Sequence, residues 1–318
     1  GDISLGTMRQ LSSLEGLDQP RIQGDLLLVT ESVFLPDLKG LGATEVQGNL
    51  EVSWTSSLAS LEGLEGLTTL GGDLTIQSNN GLTDLHGLKV ELLHGTLRVT
   101  GNALLESLTG LETLTRVDGF VFLQSNAITS MEGLDNLTFI GGALQIEQAD
   151  DLQSLEGLNL DTIGGNLELL HNDELASLTA LEGTHVGATV QISGNDALTS
   201  LTGLEHLEQV SSLRIHDNDA LTSLQGLEGL VQAGSYVTIT DHDSLRSLEG
   251  LESLQVIGSD LRLEGNLVLV DLQPLYGLES VDSNLKVLDN PSLTDAAAWD
   301  FVDEVEHVGG QVLVEGNQ

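Results

Sequence analysis

A phrase of the form Gly-Gly-x-Leu-x-Ile-x-x-Asn-x-x-Leu-x-Ser-Leu-x-Gly-Leu returns every 23 or 24 residues along almost the whole chain. Good copies are GGDLTIQSNNGLTDLHGL at 71–88 and GGALQIEQADDLQSLEGL at 141–158. The first apolar position of the phrase falls at Leu26, Leu50, Leu74, Leu97, Val121, Leu144, Leu167, Val190, Leu213, Val237, Leu261 and Leu285. A unit this short cannot bury its own apolar face and must stack on its neighbours. The period therefore predicts a repeat solenoid of about 12 to 13 coils, each of 23–24 residues.

Within Leu74-Thr75-Ile76, apolar residues alternate with a polar one, the pattern of a strand with one buried face. Leu74 and Ile76 are expected to point inward and Thr75 outward. Gly71-Gly72 marks a corner requiring positive φ or close backbone approach. Asparagines recur at Asn79, Asn102, Asn126, Asn172, Asn195, Asn218, Asn266, Asn290 and Asn317. Repeated at one corner of each coil, they are expected to bond the next coil's backbone as an internal ladder. Ser60, Ser107, Ser130, Ser154, Ser177, Ser200, Ser223 and Ser247 also recur, and read as turn formers, since a nucleophile is singular and paired with a base.

The expected organisation is one solenoid domain over 1–318. Residues 1–21 form an N-terminal cap coil, 22–290 the repeats, and 291–318 a C-terminal cap with a helix and a last strand. In that helix Trp299, Val302 and Val305 are expected to cover the last coil. With 10 Lys and Arg against 49 Asp and Glu, the formal charge is −39. That balance argues against nucleic acid, whose phosphates need a basic footprint, and against an anionic membrane surface. No apolar run is long enough to span a bilayer, so no membrane insertion is expected. The chain has no cysteine, which removes disulfides and thiolate chemistry. An export signal is read as already removed, giving an extracellular or cell-surface location.

The Leu-x-Ile-x-x-Asn phrase resembles the leucine-rich repeat, but Leu70 to Leu74 encloses three residues and Asn79 to Leu82 reads Asn-x-x-Leu. The full phrase is more similar to the receptor L domain, found in insulin- and epidermal-growth-factor-type receptors, fungal wall proteins and many bacterial surface proteins. The opening GDISL and the closing Asn290-Pro-Ser-Leu293 with its helical stretch are also similar, although the cysteines often present near that end are absent. The resemblance implies a right-handed β-helix and ligand binding without catalysis. It implies no particular ligand-contacting residues.

Candidate sites come from the outward columns. The central one reads Glu51, Thr75, Arg98, Phe122, Gln145, Glu168, Gln191, Arg214, Thr238, Arg262 and Lys286, and holds four of the ten basic residues. A neighbouring column holds Phe120 and Tyr236. Arginine beside exposed aromatic rings is the composition of binding hot spots. Arg98, Phe120, Phe122, Arg214, Tyr236, Arg262 and Lys286 are thus candidate contacts to a protein or glycan ligand, with pairing to Glu168 or Glu264 as the structural alternative for the later cations. A second, acidic row contains Asp150, Asp173, Asp196, Asp219 and Asp243, with Asp217 and Asp241 two positions earlier. Of these, Asp173, Asp196, Asp219 and Asp243 are the candidate Ca²⁺ ligands of an alternative reading, a calcium-stabilised adhesive surface protein. Solvated turns explain the same aspartates. No other cofactor is expected. The histidines, His171, His216 and His242 among them, lack ligand-like spacing, coil steps of 23–24 leave no room for the long loops of β-helix enzymes, and an ice-binding threonine array is missing. The chain is expected not to be an enzyme.

Overall fold

The structure, a computed structural model, describes residues 1–6, 8–17, 19–29 and 31–318. Thr7 and Asp18, within the expected cap coil, and Thr30, within the first repeat, lie outside the described residues. The chain is a parallel β-solenoid of about 13 turns, divided between two compact units, Gly1–Gly164 and Gly165–Gln318.

In the first unit, Ile3–Ser4 is followed by four-residue strands at Leu26–Val29, Leu50–Ser53, Leu74–Gln77, Leu97–Thr100, Val121–Gln124 and Leu144–Glu147. Each pairs in parallel with the next, one coil apart, so Leu74 faces Leu97 and Thr75 faces Arg98. Two-residue strands such as Thr69–Leu70, Leu92–Leu93 and Arg116–Val117 form a second parallel sheet. The second unit repeats the design. Its long strands are Leu167–Leu170, Val190–Ser193, Leu213–His216, Val237–Thr240, Leu261–Glu264, Leu285–Leu288 and Val312–Glu315.

The period-2 reading of the strands is correct: Leu74 and Ile76 are fully buried while Thr75 is half-exposed. From coil to coil, Leu64, Leu67, Leu88 and Leu111 continue the leucine core between strands. Burying a leucine is worth about 1.5–3 kcal/mol, and only stacking supplies the burial.

The corners divide their work between two kinds of glycine. Gly71 and Gly72 have no positive φ; a Cβ on Gly71 would overlap the carbonyl oxygen of Gln47, so close approach is what selects them. Left-handed backbone belongs instead to the Gly of the x-Gly-Leu phrase, as at Gly110 (φ 116°) and Gly226 (φ 111°). There the following acid has a structural task. The N–H groups of Gly63, Gly110, Gly133, Gly203 and Gly250 each donate to the carboxylate two residues on, at 2.9–3.0 Å. The serines behave as turn formers: Ser60 Oγ accepts from the Glu62 N–H and Ser247 Oγ from the Glu249 N–H, both at 3.1 Å.

The asparagine ladder is present and buried except at the half-buried Asn317, but its side chains bond the backbone of the preceding coil and not, as expected, the next. Asn79, Asn102 and Asn195 donate from their backbone N–H groups to the side-chain oxygens of Asn102, Asn126 and Asn218, at 2.9–3.1 Å. The side-chain amides also donate back to a strand carbonyl of the previous coil, as Asn102 Nδ2 does to Ile76 O at 3.0 Å.

The capping helix, α1 (Asp295–Glu304), starts at Thr294, whose Oγ1 accepts from the Ala297 N–H at 3.1 Å. It packs on Val312–Glu315. Its buried face differs from the expected one: Ala298, Phe301 and Val305 are buried, while Trp299 is 46 % exposed and Val302 half-exposed. Steps of three drift steadily around a helix of 3.6 residues per turn, whereas i, i+3, i+7 stays within one stripe. Phe301 therefore takes the place assigned to Trp299. No helix among the described residues is long and apolar enough to cross a membrane.

Candidate functional site

Parallel pairing in register converts every outward strand position into a column with neighbours roughly 4.8 Å apart. In the first unit Arg98 and Phe122 are direct cross-strand partners. The Arg98 guanidinium lies over the Phe122 ring, 4.7 Å from its centroid. Phe120, 55 % exposed, leans against Gly142 of the next coil, where a Cβ would strike the ring. The three candidates of this unit thus stand together, with Phe120 partly occupied in covering a backbone corner.

In the second unit the remaining four candidates share a groove of about 400 Å³. Its floor is the central column Gln191, Arg214, Thr238, Arg262 and Lys286, bounded on one side by Tyr236 and Asp260 and on the other by Ser193, His216 and Thr240. The Arg214 guanidinium stacks on Tyr236, 4.5 Å from the ring centroid. Arg262 is ion-paired with Glu264, as the structural alternative anticipated. Glu168 does not pair with Arg214; among the described residues neither Arg214 nor Lys286 is in an ion pair. Asp260 is held below the usual carboxylate range by the Asn284 N–H, by Ser283 and by the nearby Lys286 charge. His216 Nδ1 is 2.9 Å from Thr240 Oγ1 and 3.2 Å from Asp241 Oδ2.

The acidic row sits at the corner beyond these strands. Asp173, Asp196 and Asp243 are exposed, and Asp219 is half-buried. Burial and the Asp243 carboxylate push Asp219 above its ordinary value. Among the described residues no three His, Asp or Glu side chains are placed to share a metal ion. Asp217 and Asp241 belong to a different pattern, in which a left-handed residue follows a long strand: Ser78, Ser125, His171, Asp217, Asp241 and Asp289 have φ of 50–61°. Asp and Ser suit such turns. Trp54, at φ 63° in the same place, is the bulky exception.

His242 is the residue whose role the sequence reading missed. It occupies the asparagine position of its coil, five residues after Val237, and is fully buried. Nδ1 accepts from the Asn218 N–H at 3.1 Å, as an asparagine Oδ1 would, and Nε2 faces the Ile215 carbonyl at 3.3 Å, as Nδ2 would. Burial lowers its pKa, so the neutral Nε2–H form completes the ladder. The imidazole has no third polar atom to reach forward. On the next coil, Asn266 Oδ1 accepts from no described group, whereas Asn126 Oδ1 and Asn290 Oδ1 each accept from both the backbone N–H and the Nδ2 of the preceding ladder residue. Register counting alone would have found the substitution.

No protein-family model and no curated protein matches the chain.

Proposed function

We propose that the chain is a non-enzymatic ligand-recognition module of a secreted or cell-surface bacterial protein, of receptor L-domain type, that binds a protein or glycan on the outward face of its long strands. One observation carries this reading: the groove of the second unit gathers Arg214, Tyr236, Arg262 and Lys286 on a face whose side chains the stacking does not specify. Core, corner and ladder positions repeat because packing demands it, whereas the central column varies from coil to coil. The Arg98–Phe122 pair gives the first unit a smaller patch of the same composition. Rigid strands hold such contacts better than loops, and arginine with aromatic rings concentrates binding energy.

The test is a screen of the purified chain against protein and glycan arrays, repeated with Arg214→Ala/Tyr236→Ala and Arg98→Ala/Phe122→Ala. One of the double variants should abolish capture of the ligand found while leaving the urea midpoint within error of the parent. Capture unchanged by both variants would reject the strand face as the recognition surface.

A further inference from the structure

We infer that the groove of the second unit takes a short acidic saccharide, its carboxylates received by Arg214 and Lys286. This rests on the strand-face reading above and adds the class of ligand. Three features of the groove point to it.

The first is charge placed at a cost. Arg262 and Lys286 are direct cross-strand partners, and like charges so placed repel. The pairing of Arg262 with Glu264 relieves one of them. Lys286 and Arg214 are left without an ion-pair partner among the described residues, in a chain with 49 acidic groups. Arg214 contributes its stack on Tyr236 and Asp260 lines the same concavity, but neither cation is tied up in an ion pair there.

The second is spacing. Arg214 and Lys286 stand three strands apart, roughly 14 Å along the sheet at the usual strand separation. The Arg262–Glu264 pair and Thr238 lie between them. A short oligosaccharide spans that distance with an acid group at each end. A long polyanion does not suit the chain, because beyond the groove it would meet a surface of net charge −39. A short ligand stays within about one Debye length, ~8 Å at physiological salt, of the cations that hold it.

The third is the lining. Gln191, Ser193, Thr238 and Thr240 offer amide and hydroxyl groups, and Tyr236 supplies the one aromatic ring. Peptide recognition ordinarily uses an apolar anchor in a pocket or a free sheet edge. This groove lies on a sheet face, and every side chain lining it carries a polar group beside its apolar surface, which matches the mixed hydroxyl and C–H faces of a sugar.

The experiment is calorimetric titration of the full chain with trigalacturonate, with galactotriose as the uncharged counterpart and triglutamate as an acidic peptide, in 0.15 M NaCl. Trigalacturonate should bind at least about tenfold more tightly than either. Arg214→Gln and Lys286→Gln should each weaken it about tenfold and reduce its salt dependence, while Lys39→Gln, a cation of the first unit already paired with Glu62, should not. Equal binding of galactotriose, lost in the same variants, would overturn the acidic class and leave strand-face recognition standing. Tighter binding of triglutamate would reassign the groove to a peptide. Trigalacturonate binding that survives the Arg214→Gln/Lys286→Gln double variant, or no trigalacturonate binding at all, would overturn the inference. Strand-face recognition would then stand or fall by the array screen.

Discussion

The substitution His242→Asn should stabilise the second unit, by an amount that grows as the solution is acidified. At pH 7.5 the two side chains offer the same acceptor to the Asn218 N–H and the same donor to the Ile215 carbonyl. The carboxamide adds a second amide hydrogen, which can reach Asn266 Oδ1 as Asn266 Nδ2 reaches Asn290 Oδ1 at 3.1 Å. Satisfying a buried acceptor is worth about 1–3 kcal/mol. Exchanging an imidazole for the smaller carboxamide returns about 1 kcal/mol of that in lost packing. The net gain is therefore about 1 kcal/mol.

Acid changes the comparison. Burial penalises the imidazolium and holds the folded-state pKa of His242 below its ordinary value of 6.5, against the opposing pull of its contacts with the Asn218 and Ile215 backbone and of Asp217, and with a smaller push from His216. Above the ordinary value, both folded and unfolded chains hold a neutral imidazole, and this contribution to stability is fully present. As the pH falls below it, the unfolded chain takes up a proton that the folded chain refuses. Stability then drops by up to about 1.4 kcal/mol per pH unit until the folded pKa is reached. The substituted carboxamide does not titrate, so its advantage should widen as the pH falls below 6.5. Carboxylates titrate alike in both proteins and cancel in the difference. Paired urea unfolding at pH 7.5 and 5.5 measures the gap, and hydrogen exchange at the Asn218 amide reports the local opening even where a repeat array loses two-state behaviour. An advantage that is constant or shrinks between the two pH values would refute the account of His242 as a neutral ladder member.

Three further outcomes follow from the same geometry. Gly226→Ala, whose Cβ would overlap the Leu201 carbonyl, should cost several kcal/mol, whereas Gly183→Ala, also left-handed but with open space around it, should cost about 1 kcal/mol in urea unfolding. Asn195→Ala removes the acceptor of the Asn172 N–H and the donor to the Leu169 carbonyl, and should lower stability by about 3 kcal/mol, measurable as a fall in urea midpoint with unchanged m. Millimolar Ca²⁺ against chelator should leave the melting temperature unchanged, because Asp173, Asp196, Asp219 and Asp243 do not converge on a shared site; a rise with Ca²⁺ would reinstate the calcium-stabilised alternative.

What was legible in the sequence is whatever the stacking imposes on every coil. The alternation in Leu74-Thr75-Ile76, the asparagine ladder and the serine turns could be read directly, because one coil's register predicts the next. Helix α1 occurs once, so nothing averaged out the wrong choice of Trp299 over Phe301. His242 was legible by position but disguised by chemistry, since an imidazole does not look like a carboxamide until its two nitrogens are placed. The candidate columns were correctly assembled from register, yet which cation stacks on which ring depends on rotamers. Arg262 turning to Glu264 while Arg214 turns to Tyr236 is a choice that the spacing does not contain.

The two signs of charge then separate by purpose. Carboxylates recur where the backbone needs them, receiving the amides of the left-handed glycines at Glu65, Glu112, Asp135, Glu205 and Glu252, so part of the acidity serves the corners. Of the ten basic residues, Arg9, Arg21, Lys39, Arg116 and Arg262 are in ion pairs with carboxylates. Lys89, Arg98, Arg214, Arg246 and Lys286 have no such partner among the described residues, and Arg98, Arg214 and Lys286 all belong to the central strand column. A column that must merely remain soluble could be filled with the acids and threonines used elsewhere. Arg98 and Arg214 each stack on a ring of the next coil, while Lys286 stands opposite Arg262, and the ligand proposed for this face gives that repelling pair a reason that packing of the core does not.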